Sequence, residues 1–278
     1  MNTFFLDRLN SEPHALAFAG QSTPWPVALA DQSANPALDE ALHTHAAAAQ
    51  ALLYPVSAEL LATTGRPVDL FGFEPNPASV PGIALTQLGA LLDAAALGYN
   101  PAQAKPVAVL GHSQGVLAVH MVQAICEAGS IDAAAAKIDE ILAIATLIGV
   151  AGTRQARQLG LAARHGEATP MLSVKDITRA KEHKRQAKLR EEKVRGGRVF
   201  DPTLEYLDVT LPFHSPLMAD AVSQAVAWAE ACGINADHAR ELAAEVLLNH
   251  VDWAARVRAL MKSTDPSALW VLDFGPGN

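Results

Sequence analysis

The chain has 278 residues, half of them hydrophobic, 18% charged and 5% aromatic, with a formal net charge of −8. That length and apolar share exclude a generally disordered chain and fit one large domain, or a large one with a small satellite. The acidic balance argues against a nucleic-acid ligand. Two cysteines, Cys126 and Cys232, support neither a disulfide framework nor a cysteine-based zinc site, and they fit a reducing, cytoplasmic compartment. The opening MNTFFLDRLNSEP lacks the apolar core of a secretory signal. The longest apolar run, Ile141 to Gly152, is broken by Thr146 and too short to span a bilayer, so no membrane partner is expected.

In chain order, Leu16 to Ala19 reads as a short buried strand that runs into a loop from Gly20 to Pro26. Pro36 to Leu61 reads as helix broken near Pro55, and 67–81 as irregular chain punctuated by Pro75, Pro77 and Pro81. Ile83 to Ala96 is a helix with an apolar face. Val107 to Leu110 is wholly apolar, the pattern of a parallel strand covered on both faces. Gln114 to Ala128 and the long, mostly apolar Lys137 to Leu161 follow as helices. Leu207 to Leu211 and Trp270 to Phe274 are the late strands, the last one expected to be buried. Strands alternating with helices predict an α/β fold with a parallel sheet. There is no internal repeat.

Charge is unevenly spread. Lys175 to Arg198 holds ten basic and four acidic residues, whereas the rest of the chain holds 11 basic and 25 acidic ones. Close pairs such as Glu182 with Arg185 and Lys188 with Glu192 suit a solvated helix face. The alternative is a surface for an acidic partner or a phosphorylated ligand.

Val107-Ala-Val-Leu-Gly-His-Ser-Gln-Gly115 carries the chemistry. Gly111 and Gly115 permit a sharp turn between a buried strand and a helix, which lifts the Ser113 hydroxyl off the sheet edge. The same turn aims backbone N–H groups, including that of Gln114, at a developing oxyanion. An isolated Gly-Ser turn is common; the strand before it and the helix after it select the nucleophile reading. A serine needs a base. His214 is the candidate, in Leu211-Pro-Phe-His-Ser-Pro-Leu-Met218, where flanking prolines restrict the loop. His112 reads as structural, and His250 is the competing base.

Phe18-Ala-Gly-Gln21, Gly111-His-Ser-Gln-Gly115 and Pro212-Phe-His-Ser-Pro-Leu-Met218 together resemble the malonyl/acetyl-CoA:acyl-carrier-protein transacylase family. Asn249-His-Val-Asp-Trp253 and Asp273-Phe-Gly-Pro-Gly277 resemble its late motifs. The likeness is greatest to the N-terminal acetyltransferase domain of mycobacterial and corynebacterial type I fatty-acid synthases. It implies an α/β-hydrolase-like core, residues 1–160 and 212–278, with a small ferredoxin-like subdomain inserted at 161–211.

The resemblance also implies a mechanism without a cofactor. Ser113 attacks acetyl-CoA with His214 as general base, and the acyl group then passes to the phosphopantetheine thiol of an acyl carrier protein. The oxyanion donors would be the backbone N–H groups of Gln21 and Gln114, and the carbonyl that orients His214 would be that of Val246. Malonyl-using relatives carry an arginine where Ala145-Thr-Leu-Ile-Gly149 places Ile148. A malonyl carboxylate beside isoleucine would lack a partner, so a neutral acetyl group is expected. Phe213 would narrow the pocket against longer chains.

The chain departs from the family in three places. Ser22 follows Gln21 where glycine is usual, and Val116 follows Gly115 where many relatives have glutamate. The subdomain, beginning at Pro170 to Val174, lacks a middle strand with its Asn-Gly turn. The chain stops at Gly277-Asn278, where the family motif continues into another helix, so a piece of a larger synthase whose other domains would be partners is expected. Two other classes fit parts of the pattern. A serine hydrolase would need a carboxylate such as Asp176 or Asp208 behind the histidine. A non-catalytic scaffold would have an incomplete site.

Overall fold

A three-stranded parallel sheet, with strand order β2-β1-β5, gathers the three segments that bear motifs. The computed structural model describes residues 8–20, 25–71, 79–161, 172–176, 202–206, 211–265 and 269–275. Strand β1 (His14–Phe18) lies in the middle, with β2 (Ala108–Gly111) on one side and β5 (Trp270–Asp273) on the other. Phe18 pairs with Gly111, and Ala17 with Asp273, so the carboxyl ends of all three strands meet at one edge. In open α/β sheets this is the edge where ligands bind.

Helices surround the sheet. α1 (Trp25–Ser33), α2 (Pro36–Leu52), α3 (Ser57–Thr64), α4 (Ser79–Ala96) and the single-turn α5 (Pro101–Ala104) precede β2. α6 (Val116–Ala128) and α7 (Ala135–Gln158) follow it, and α8 (Ala219–Ala231), α9 (Ala236–Leu247) and α10 (Trp253–Ser263) precede β5. Local chemistry sets their ends. Asn35 accepts from the Ala37 N–H with Pro36 at the first helical position, Asn235 caps α9 and Asp252 caps α10. Gly65 and Gly129 end α3 and α6 in the left-handed region.

α7 is the central helix, and α2, α4, α6, α8 and α9 pack around it. Its middle, Ile141 to Val150, is fully buried. α4 is long and apolar enough to cross a membrane by length and composition, yet most of it lies buried against α1, α2 and α7. Its close approach to α1 requires glycine: a Cβ on Gly82 would run into the Trp25 ring, and one on Gly89 into the Gln32 side chain.

Several elements differ from expectation. α4 begins at Ser79 rather than Ile83, because Pro81 falls within the first turn, where its missing N–H costs nothing. β2 is an edge strand, half exposed along Ala108 to Leu110, not one covered on both faces. β5 is likewise an edge, with Trp270 and Val271 exposed. Both apolar runs resemble central strands, but among the described residues it is β1 that has a strand on each side. Helices α8, α9 and α10 are additional to the expected elements. In the inserted segment, β3 (Leu172–Asp176) pairs antiparallel with β4 (Pro202–Tyr206). Of the strand expected at 207–211, residues 207–210 lie outside the described residues, as does the centre of the basic stretch, and Leu211 is a buried residue in a bend.

Candidate active site

β2 ends at Gly111, and the chain turns through His112 into a 3-10 turn, Ser113–Gly115, and then α6. Ser113 has φ 54°, a left-handed conformation that a side chain makes costly. Three glycines make the turn possible. A Cβ on Gly111 would stand 2.6 Å from the Val116 nitrogen, and one on Gly115 would run into the Phe18 carbonyl and come within 2.8 Å of the Ala19 oxygen. A Cβ on Gly20 would meet the His112 oxygen at 2.5 Å and Ser113 Cβ at 2.8 Å. The elbow therefore rests backbone to backbone on the end of β1, where only hydrogen atoms fit.

His214 arrives from a segment distant in sequence. Ser113 Oγ lies 2.7 Å from His214 Nε2. His214 also has a left-handed backbone, φ 55°, and its loop is tied to α9 by the Ser215 N–H donating to the Leu247 carbonyl at 3.1 Å. On the ring's other side, Nδ1 lies 2.7 Å from the carbonyl oxygen of Asn249. A carbonyl can only accept, so Nδ1 carries the proton and Nε2 is left to accept from the serine hydroxyl.

The orienting carbonyl is thus that of Asn249, not that of Val246. Val246 is still inside α9, where carbonyls run along the helix axis; Asn249 lies past the helix end, where the chain turns and its carbonyl can face the ring. His250, the alternative base, is exposed, and it is His214 that meets the serine. Burial pushes the His214 imidazole below its ordinary value of 6.5; the bond to Asn249 opposes this, and neighbouring His112 and His250 push further down. His112 is lowered chiefly by burial and secondarily by Arg256. Its ring lies edge-on to Trp253 with centroids 5.5 Å apart.

Gln114 is fully buried at the elbow, and Gln21 lies outside the described residues. Ile148 and Phe213 are both buried. Ile148 sits one turn before Gly152 on α7, and a Cβ on Gly152 would meet Leu211 and Leu247 side chains at 3.1 and 3.4 Å. Ile148 therefore belongs to the face of α7 turned toward the histidine loop.

Two contacts at the site had no sequence expectation. Gln87, buried in α4, donates through Nε2 to the Ala19 and Gly275 carbonyls at 2.6 and 3.0 Å, joining the ends of β1 and β5 beside the elbow. A glutamine on an otherwise apolar helix face was the available signal. Arg256 Nη1 donates to the Gly111 carbonyl at 3.0 Å. Among the described residues no group of histidine, cysteine or carboxylate side chains is arranged to hold a metal ion. The arrangement can generate a serine nucleophile, hold its proton on a neutral imidazole and return that proton to a leaving group.

Residues 72–196 match the family model described as "Starter unit:ACP transacylase in aflatoxin biosynthesis". No curated protein matches the chain. Among solved structures, the chain is similar to MCAT from Mycobacterium tuberculosis, with 18% identity, a TM-score of 0.57, and coverage of 95% of this chain and 90% of that one. It is also similar to an acyl carrier protein S-malonyltransferase from Vibrio cholerae, at 16% identity and a TM-score of 0.47, covering 95% of this chain and 90% of that one. The chain thus shares its α/β fold with the first of these, the MCAT, and its segment 72–196 is similar to the starter-unit transacylase family model.

Proposed function

We propose that the chain transfers an acetyl group from acetyl-CoA to the phosphopantetheine thiol of an acyl carrier protein, priming fatty-acid synthesis within a larger synthase. His214 Nε2 takes the Ser113 proton as Oγ attacks the thioester carbonyl. The tetrahedral oxyanion collapses, the acyl-serine forms, and CoA leaves as the thiol, taking the proton from His214 Nε2 and leaving the imidazole neutral. The incoming carrier thiol gives its proton to the same nitrogen, attacks the acyl-serine and returns the hydroxyl to Ser113. The backbone N–H groups of Gln114 and Gln21 are the proposed oxyanion donors.

The observation that carries this reading is the 2.7 Å contact of Ser113 with His214, backed by a main-chain carbonyl and not by a carboxylate. A neutral carbonyl suffices where the imidazole carries charge only during each transfer. Acetyl selectivity is supported by Ile148, a buried aliphatic side chain on the helix face toward the histidine loop. A malonyl carboxylate desolvated there without a partner is disfavoured by a few kcal/mol, roughly a hundredfold in rate.

The test is a competition between acetyl-CoA and malonyl-CoA, followed by addition of holo acyl carrier protein. Acetyl loading in preference to malonyl, with rapid discharge to the carrier thiol and slow discharge to water, is the expected result. Preferred malonyl loading overturns the selectivity; rapid discharge to water alone points to a hydrolase.

A further inference from the structure

The base and the nucleophile are both held by one short stretch of chain. Asn249, just past α9, gives its carbonyl to His214 Nδ1 at 2.7 Å. Seven residues on, Arg256 in the first turns of α10 gives Nη1 to the Gly111 carbonyl at 3.0 Å. Gly111 is the last residue of an edge strand, two residues before Ser113. Between these contacts, Asp252 caps α10 through the Ala255 N–H at 2.8 Å, and Trp253 lies edge-on to His112.

The elbow needs such a hold. Ser113 occupies a left-handed backbone conformation, and on the outer side of β2 there is no further strand among the described residues to fix the end of the turn. A residue in that conformation persists only where its surroundings over-determine it. The guanidinium is planar, always charged and rich in donors, so its bond to a carbonyl is stronger than a neutral one. It can therefore fix the Gly111 peptide from a partly solvated position.

We infer that residues 249–256 form a clip that sets Ser113 in register with His214, and that Arg256 is a positioning residue of the acyl-transfer site acting through the Gly111 carbonyl. Arg256 touches neither reacting atom; it keeps Oγ within reach of the imidazole. The inference rests on the reading of Ser113 as the nucleophile, so its test begins with that residue alone. A fluorophosphonate that phosphonylates activated serines reports Ser113 reactivity with no acyl donor or carrier. Serine Oγ attacks phosphorus, fluoride leaves, and His214 takes the proton.

With wild type, Arg256→Ala and Arg256→Lys, the maximal rate of phosphonylation and the half-saturating probe concentration are measured beside thermal melting. We expect Arg256→Ala to lose about tenfold in maximal rate, with the half-saturating concentration unchanged and melting nearly as in wild type. Arg256→Lys, which keeps one donor, recovers part of the loss. An unchanged maximal rate in a folded Arg256→Ala variant overturns the inference. If that variant melts early, Arg256→Lys decides: a rate loss in folded protein supports the clip, and a wild-type rate contradicts it. A wild-type chain that does not react at Ser113 overturns the nucleophile reading itself, a separate outcome.

Discussion

Ser113 and His214 meet at 2.7 Å although both backbones lie in the left-handed region, at φ 54° and 55°. Two strained residues from segments 101 positions apart are brought into hydrogen-bond contact. Strain of this kind costs about 1–3 kcal/mol per residue and has to be offset by the packing that surrounds it. Here that packing is the glycine-lined seat on β1 and the tie from Ser215 to Leu247.

Removing the base tests the pair. His214→Ala is expected to slow acyl loading of Ser113 by roughly a thousandfold while leaving the melting temperature close to wild type, since the imidazole is only partly buried. Rapid-quench loading with labelled acetyl-CoA measures it.

The pH profile follows from the direction of the His214 shift. Burial and the neighbouring His112 and His250 hold its value below 6.5, so the base is free throughout the neutral range. Loading should be flat near neutrality and fall as the pH drops through the His214 value, with the acid limb below pH 6.5. His112→Gln removes one source of repulsion and should move that limb upward. Single-turnover rates against pH in both proteins check the sign.

Gly115→Ala inserts a methyl group against the Phe18 and Ala19 carbonyls. Backbone cannot rotate away as a side chain can, so the elbow must shift. A loading loss of about a hundredfold and a stability loss of about 1–3 kcal/mol are expected, read by loading kinetics and denaturant melts.

Ile148→Arg places a cation on the α7 face toward the histidine loop. Malonyl loading relative to acetyl should rise by about tenfold, even though a buried guanidinium without its acyl partner lowers stability. Paired loading rates with the two donors decide it, and an unchanged ratio means the position does not read the acyl group.

Away from the site, His45 Nδ1 and Asp139 Oδ1 join α2 to the central helix at 2.6 Å, with side chains only 13% and 16% exposed. Asp139→Ala should cost about 1.5–3 kcal/mol in a denaturant melt without changing the pH dependence of loading.

Much of the site was legible in the sequence because its parts are local. Gly111 to Gly115 states a sharp turn through its glycines, and the prolines around His214 state a constrained loop. The His214 partner was not legible in the same way: any residue type supplies a carbonyl, and Asn249 rather than Val246 is chosen by where α9 ends. Val107 to Leu110 and Trp270 to Phe274 are apolar enough for central strands, yet both are edges, because coverage depends on neighbours that a segment does not encode. Gln87 and Arg256 act through carbonyls of distant residues, and such pairings leave no pattern within their own helices.

The central claim is that Ser113 carries the acyl group. Intact-protein and peptide mass spectrometry after incubation with acetyl-CoA tests it most directly. A gain of one acetyl group on the Ser113 peptide, absent from Ser113→Ala and removed by a carrier-protein thiol, is the predicted result. Folded protein that gains no acetyl group at Ser113 would contradict it.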